Sequence, residues 1–142
     1  MRTQRGVTIE LNPDTRIPRT FKRFSGLVAQ LLTQGKIQQA SGGSTLLKAS
    51  RLPVSALLPE GHTLVKVTKK GNLVPSLTDF LKQFESKQFV FVVPTMEDGG
   101  EGANLRPIGE YEEEIALSNY ELSAISTCSK VCFAFEELWD IL

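Results

Sequence analysis

The stretch "SLTDFLKQFESKQFVFVV", residues 76–93, contains two different periods. Leu77, Phe80, Leu81 and Phe84 recur at helical spacing behind Ser76 or Thr78, either of which suits an N-cap. Residues 89–93 then run apolar on both faces with β-branched character. A helix that delivers the chain into a strand buried on both faces is the signature of a parallel sheet, and it predicts a central strand at residues 89–93.

Reading upstream, "TLVKVT" (63–68) and "TLLKAS" (45–50) are further strands, and "SGGST" is a flexible connector. "LPVSALLP" reads as a Pro-punctuated loop. "GVTIEL", residues 6–11, alternates and then meets the turn residues "NPDT". From Ile17 the period changes: Ile17, Phe21, Phe24, Val28 and Leu31 predict a helix with Pro18 in its first turn and Gly35 at its end. Downstream, "PTMEDGGEGANLRPIGE" is a long glycine-rich loop directly after the apolar strand, where ligands bind in open α/β sheets. "EEIALS" is a short strand, followed by the turn "NYE". The last helix carries an apolar stripe of Leu122, Ile125, Cys128, Cys132, Phe135, Trp139 and Leu142. Strands alternating with helices over 142 residues predict one α/β domain, residues 1–142.

The formal net charge is zero, with 16 basic and 16 acidic residues, but their distribution is uneven. Residues 1–53 hold nine Lys/Arg against two Asp/Glu, and residues 96–142 hold two against eleven. Either the two parts are solvated faces that pair with each other, or the basic part meets an anionic partner such as nucleic acid. Cys128 and Cys132, four apart with no CxxC, are too few for a zinc site and read as small core residues of a reducing compartment. No apolar run approaches the roughly 20 residues that span a bilayer, and residues 1–15 lack a secretory h-region, so a soluble intracellular protein with no membrane partner is expected.

On a helical wheel, Arg19, Arg23, Gln30 and Gln34 align roughly 120° from the apolar stripe, with Arg16 pointing the same way if the turn continues backwards. This row is either a solvated face or a set of guanidinium forks for phosphates and unpaired bases. Gly99, Gly100 and Gly102 could bring backbone N–H groups close to a cofactor, but they match neither phosphate-loop nor dinucleotide fingerprints. His62, the only histidine, sits in a Pro/Gly loop, so a histidine-based triad has little support. The run Glu110, Glu112, Glu113, Glu114 reads as solvent-facing.

Three stretches, "LNPDTRIPRTFKRFSGLVAQLL", "FVFVV" with its glycine loop, and "LSNYELSAISTCSKVCFAFEELWDIL", together closely resemble the eukaryotic ribosome-biogenesis pseudouridine N(1)-methyltransferases of the SpoU-TrmD (SPOUT) superfamily. The resemblance covers nearly the whole chain in order. It implies a SPOUT-type α/β sheet with a C-terminal trefoil knot, an exception to unknotted topology. It implies S-adenosyl-L-methionine as cofactor, methylation of a pseudouridine in small-subunit rRNA, a homodimer, work alongside ribosome assembly factors, and a place in the nucleus and nucleolus. The family's RNA-contacting arginines fall on Arg16, Arg19 and Arg23. Its cofactor-holding turn falls on Leu117, Ser118, Asn119, Tyr120, Glu121 and Leu122, its loop glycines on Gly99, Gly100 or Gly102, and a further cofactor-lining position on Thr68.

The sequence also departs from the family pattern. The residue directly after the apolar strand, usually glycine, is Pro94, which removes an N–H and fixes φ, and the proline of the turn is Glu121. The family's N-terminal strands and helices have no counterpart, which implies a C-terminal portion or a short divergent form. Two other functions remain open: a non-catalytic rRNA-binding assembly factor of the same fold, and a metabolite-binding α/β domain unrelated to RNA.

Overall fold

A computed structural model describes residues 1–3, 5–85, 88–93, 108 and 110–141. Its contacts divide the chain into two compact units, Met1–Leu57 and Leu58–Leu142.

The first unit is an antiparallel sheet with one helix. Strands β1 (Thr8–Leu11), β2 (Lys36–Gln38) and β3 (Thr45–Ser50) lie in the order β1-β3-β2, and helix α1 spans Phe21–Gln34. Ile9 pairs with Ala49 and Leu11 with Leu47, and Ile37 faces Leu47 on the other edge. Ile9, Leu31 and Leu47 are buried together, with Val7, Leu27, Ile37 and Ala49 packed around them. Burying a leucine such as Leu31, 1% exposed, contributes about 1.5–3 kcal/mol, so three such residues make a small core.

The helix begins four residues later than its periodicity predicts. Asn12 N–H donates to the Leu46 carbonyl (2.9 Å) and Thr15 Oγ1 to the same carbonyl (2.9 Å), tying the lead-in to β3. Pro18 disfavours helical backbone at Ile17. Thr20 is therefore an extended N-cap, and Ile17 and Pro18 precede the helix. The expected seating of Ile17, Phe21 and Phe24 on the sheet is corrected: Leu27, Val28 and Leu31 turn inward, while Phe21 is 84% exposed. The far end matches expectation, with Gly35 at φ 75° donating its N–H to the Leu31 carbonyl at 2.8 Å, a left-handed cap that favours glycine.

The second unit is a parallel sheet covered by helices. Strands β4 (Thr63–Leu73), β5 (Phe89–Val92) and β6 (Glu113–Ala116) lie in the order β5-β4-β6, with α2 (Leu77–Leu81) and α3 (Ala124–Leu138) packed together. Val65, Val67, Leu77, Leu81, Ile115 and Ala134 form the core. The central strand is therefore β4. Residues 89–92 are half-buried and, among the described residues, pair only with β4, so the expectation of a central strand there is corrected. Their apolarity serves helix packing: Phe89 and Phe91 each stack on Phe135 of α3 with ring centroids 6.0 Å apart.

Ser76 caps α2, its Oγ accepting from Asp79 N–H at 3.2 Å, as expected. The helix stops at Leu81 instead of running on, because Phe84 folds back edge-on between Phe80 (5.0 Å) and Phe89 (5.6 Å).

The predicted stripe of α3 is also corrected. Thr127 and Ala134 are buried, with Val131 and Leu138 partly so; this direction lies about 100° around the helix from the predicted stripe. Small side chains at 127 and 134 let α3 lie close to its neighbours, and Thr78 Oγ1 donates to Glu137 Oε2 at 2.5 Å to fix its rotation. Cys128 and Cys132 are exposed, not core residues, and Ile125 and Trp139 stand 80% and 62% exposed beside them.

Candidate functional site

Two surfaces gather candidate residues, one in each unit. In the first, Arg16 and Arg19 lie on the extended lead-in and Arg23 in the first turn of α1, all exposed. The continuous helical row expected from periodicity is thus split between two backbone types. Among the described residues, none of the three pairs with a carboxylate.

The start of α1 is electrostatically unusual. Lys22 and Arg23 occupy its first turn, no acidic residue does, and the Thr20 side chain makes no capping hydrogen bond. Cations at a helix N-terminus oppose the macrodipole and cost about 0.3–1 kcal/mol each. Helix stability therefore does not explain them, whereas an anion bound there would meet both the cations and the first-turn N–H groups.

In the second unit, the carboxyl ends of β4 and β6 lie side by side, Val74 N–H donating to the Ala116 carbonyl at 2.9 Å. A cleft of ≈ 500 Å³ opens there, lined by Val74, Pro75, Ser76, Leu77 and Thr78 after β4, by Leu117 after β6, and by Ser129, Lys130, Phe133, Ala134 and Glu137 of α3. This is within the 300–1,000 Å³ or so of ordinary small-molecule sites. Beyond Leu117, Ser118 Oγ accepts from Tyr120 N–H at 3.0 Å and so shapes the turn. Asn119, Tyr120 and Glu121 are exposed, and Leu117, Ser118 and Leu122 are half-buried. Ser123 then caps α3, its Oγ accepting from Ser126 N–H at 3.1 Å.

The structure brings Leu117 to the cleft but leaves Thr68 within β4, six residues short of Val74. The residues at that strand end are Val74, Pro75 and Ser76, which sequence reading missed because it ended the strand at residue 68. The "VPS" that follows the true end is the signal that could have found them. Pro94, Gly99, Gly100 and Gly102 lie outside the described residues. Glu110, Glu112 and Glu114 of the acidic run face solvent as expected and Glu113 is half-buried; Glu114 pairs with Lys66 at 3.2 Å, and Glu112 Oε1 accepts from Leu64 N–H at 3.4 Å. His62 donates from Nδ1 to the Pro59 carbonyl at 2.6 Å. Among the described residues no group of His, Cys, Asp or Glu could hold a metal, and no helix is long and apolar enough to cross a membrane.

The family model described as EMG1/NEP1 methyltransferase matches residues 1–136. The chain belongs to this family. Its relatives include the ribosomal RNA small subunit methyltransferase NEP1 of Drosophila melanogaster, 36% identical over all of this chain and 57% of that protein. The Homo sapiens NEP1 is 40% identical over 99% of this chain and 54% of that protein. The chain thus spans just over half the length of these family members. The crystal structure of Archaeoglobus fulgidus Nep1 bound to S-adenosylhomocysteine has the same fold, with a TM-score of 0.75 at 24% identity over 96% of this chain and 59% of that one. The expected α/β architecture therefore holds.

Proposed function

We propose that this chain carries the cofactor- and RNA-binding surfaces of an S-adenosyl-L-methionine-dependent methyltransferase that acts on N(1) of a pseudouridine in small-subunit rRNA. The observation that carries this reading is the cleft formed by Val74, Pro75 and Leu117 where β4 and β6 end, in a chain of the EMG1/NEP1 family. Family members are named as small-subunit rRNA methyltransferases, and the Archaeoglobus Nep1 structure holds S-adenosylhomocysteine.

The residues present fit this cofactor. Val74, Pro75 and Leu117 offer apolar walls for an adenine ring, and Ser76 and Ser118 offer hydroxyls at the same edge. Bound there, S-adenosyl-L-methionine would supply a methyl on a sulfonium for direct displacement by N(1), the C–S electron pair remaining on sulfur and the N(1) proton passing to solvent. A direct displacement needs alignment of donor and acceptor more than it needs a nucleophilic side chain. Arg16, Arg19 and Arg23 hold RNA phosphates, which positions the strand, and the target nucleotide leaves its stack to reach the cleft.

Homodimerisation and a C-terminal knot belong to the same proposal. The row of Ile125, Cys128, Cys132 and Trp139, left exposed on α3, supports pairing with a second copy. Work with ribosome assembly factors in the nucleus and nucleolus is part of this proposal too, supported by the resemblance to the eukaryotic members of the family.

Calorimetry with S-adenosyl-L-methionine and anisotropy with a labelled small-subunit rRNA fragment test the proposal on the full chain. Saturable binding of both is expected. RNA binding without cofactor binding would favour a non-catalytic assembly factor, consistent with Pro94 and Glu121. Absence of RNA binding would overturn the reading.

A further inference from the structure

Strand β4 is interrupted on its way to the cleft. Val67 and Asn72 both face Ile115 of β6, so residues 68–71 are extruded from the ladder as a bulge. Gly71 makes the bulge possible: a Cβ there would lie 2.6 Å from the Ile115 backbone, so any side chain would push β4 away from β6. The pairing of β4 with β5 has already ended at Lys66, opposite Val92. Among the described residues, 68–71 therefore have no strand partner on the β5 side. Bulges of this kind recur beside active sites, where they re-aim side chains.

The residues this bulge presents are Lys69 and Lys70, both exposed. Two other lysines of the same unit are paired, Lys66 with Glu114 at 3.2 Å and Lys82 with Asp79 at 3.6 Å, while Lys130 on α3 has no carboxylate partner among the described residues. Among the described residues Lys69 and Lys70 have no carboxylate partner, although residues 96–142 are rich in acid. Adjacent like charges repel each other and are poor strand formers, so local stability does not account for them, and no carboxylate among the described residues does either. Lys70 is also only four residues before Val74 at the cleft, roughly 13 Å of strand.

We propose that the β4 bulge is a phosphate-binding point for the RNA substrate, with Lys69 and Lys70 holding the backbone beside the nucleotide presented to the Val74–Leu117 cleft. The assignment rests on the methyltransferase reading and supplies it with an RNA contact in the second unit. The arginine segment would anchor the strand, and the bulge would fix its position at the reacting end.

The test measures anisotropy of a fluorescein-labelled RNA, with a pseudouridine in a single-stranded loop, across a salt series on the full chain. The Lys69→Ala/Lys70→Ala double variant should weaken binding about 10-fold at low salt and flatten the log–log salt slope by about 1.4, the value for two phosphate contacts on a single strand. Lys82→Ala, which removes a charge already paired with Asp79, should leave both quantities unchanged. Circular dichroism and S-adenosyl-L-methionine affinity should match the unaltered chain in both variants. An unchanged salt slope in the double variant, or an equal loss from Lys82→Ala, overturns the assignment while the methyltransferase reading stands. If the unaltered chain binds no RNA, both fall together.

Discussion

The helices α1 and α3 begin in opposite ways. Helix α3 is closed by Ser123, whose hydroxyl accepts from Ser126 N–H, and its first turn bears no lysine or arginine. Helix α1 begins at Thr20 without a side-chain cap, and Lys22 and Arg23 stand in its first turn. One terminus satisfies its own donors. The other leaves donors and cations facing solvent, at a cost to the helix. The capped helix walls a cleft, and the open one presents its charge to solvent.

Four perturbations would break or sharpen this contrast. The largest effect is expected from Leu31→Ala, which empties the centre of the small first core and should cost about 2–5 kcal/mol in chemical denaturation. Next, the combined Arg16→Ala, Arg19→Ala and Arg23→Ala variant should lose roughly 100-fold in RNA affinity, with the salt slope falling by about 2 and the melting profile kept. Unchanged affinity would make the open terminus an ordinary solvated face. Gly71→Ala forces the β4 and β6 backbones apart and should destabilise the second unit by about 1–3 kcal/mol, read by hydrogen exchange across Val65–Val67. The smallest effect is the most direct comparison of the two termini. Ser123→Ala should cost about 1 kcal/mol through its lost cap, whereas Thr20→Ala, with no capping bond to lose, should change stability much less. Equal costs would show that Thr20 caps in solution and that α1 is not open.

Local signals were read well where local chemistry decides. Gly35 ended α1, Ser76 capped α2, and "TLLKAS" formed β3 in full, because a left-handed cap, a hydroxyl cap and strand-forming residues act over a few residues. The family motifs likewise placed Leu117 at the cleft. Burial was read poorly. Ile17 and Phe21 share the apolar period of Leu31, yet the sheet reaches only Leu27, Val28 and Leu31, because Asn12 and Thr15 tether the lead-in to β3. On α3 the apolar stripe and the buried stripe differ by about 100°, because close approach selects small residues such as Thr127 and Ala134 over bulky ones.

The sequence by itself determined most of the elements, though not β2 or the full length of β4, together with the α/β class, the family, and the segment that carries Arg16, Arg19 and Arg23. Each of these rests on short-range periodicity or on the order of residues in a motif. Only the tertiary structure decided that β4 is central, that its cleft is built from Val74, Pro75 and Leu117, and that residues 68–71 bulge. Strand order and register depend on which distant backbones pair, here Ile115 facing both Val67 and Asn72. No local pattern in β4 encodes the position of a partner some 48 residues away.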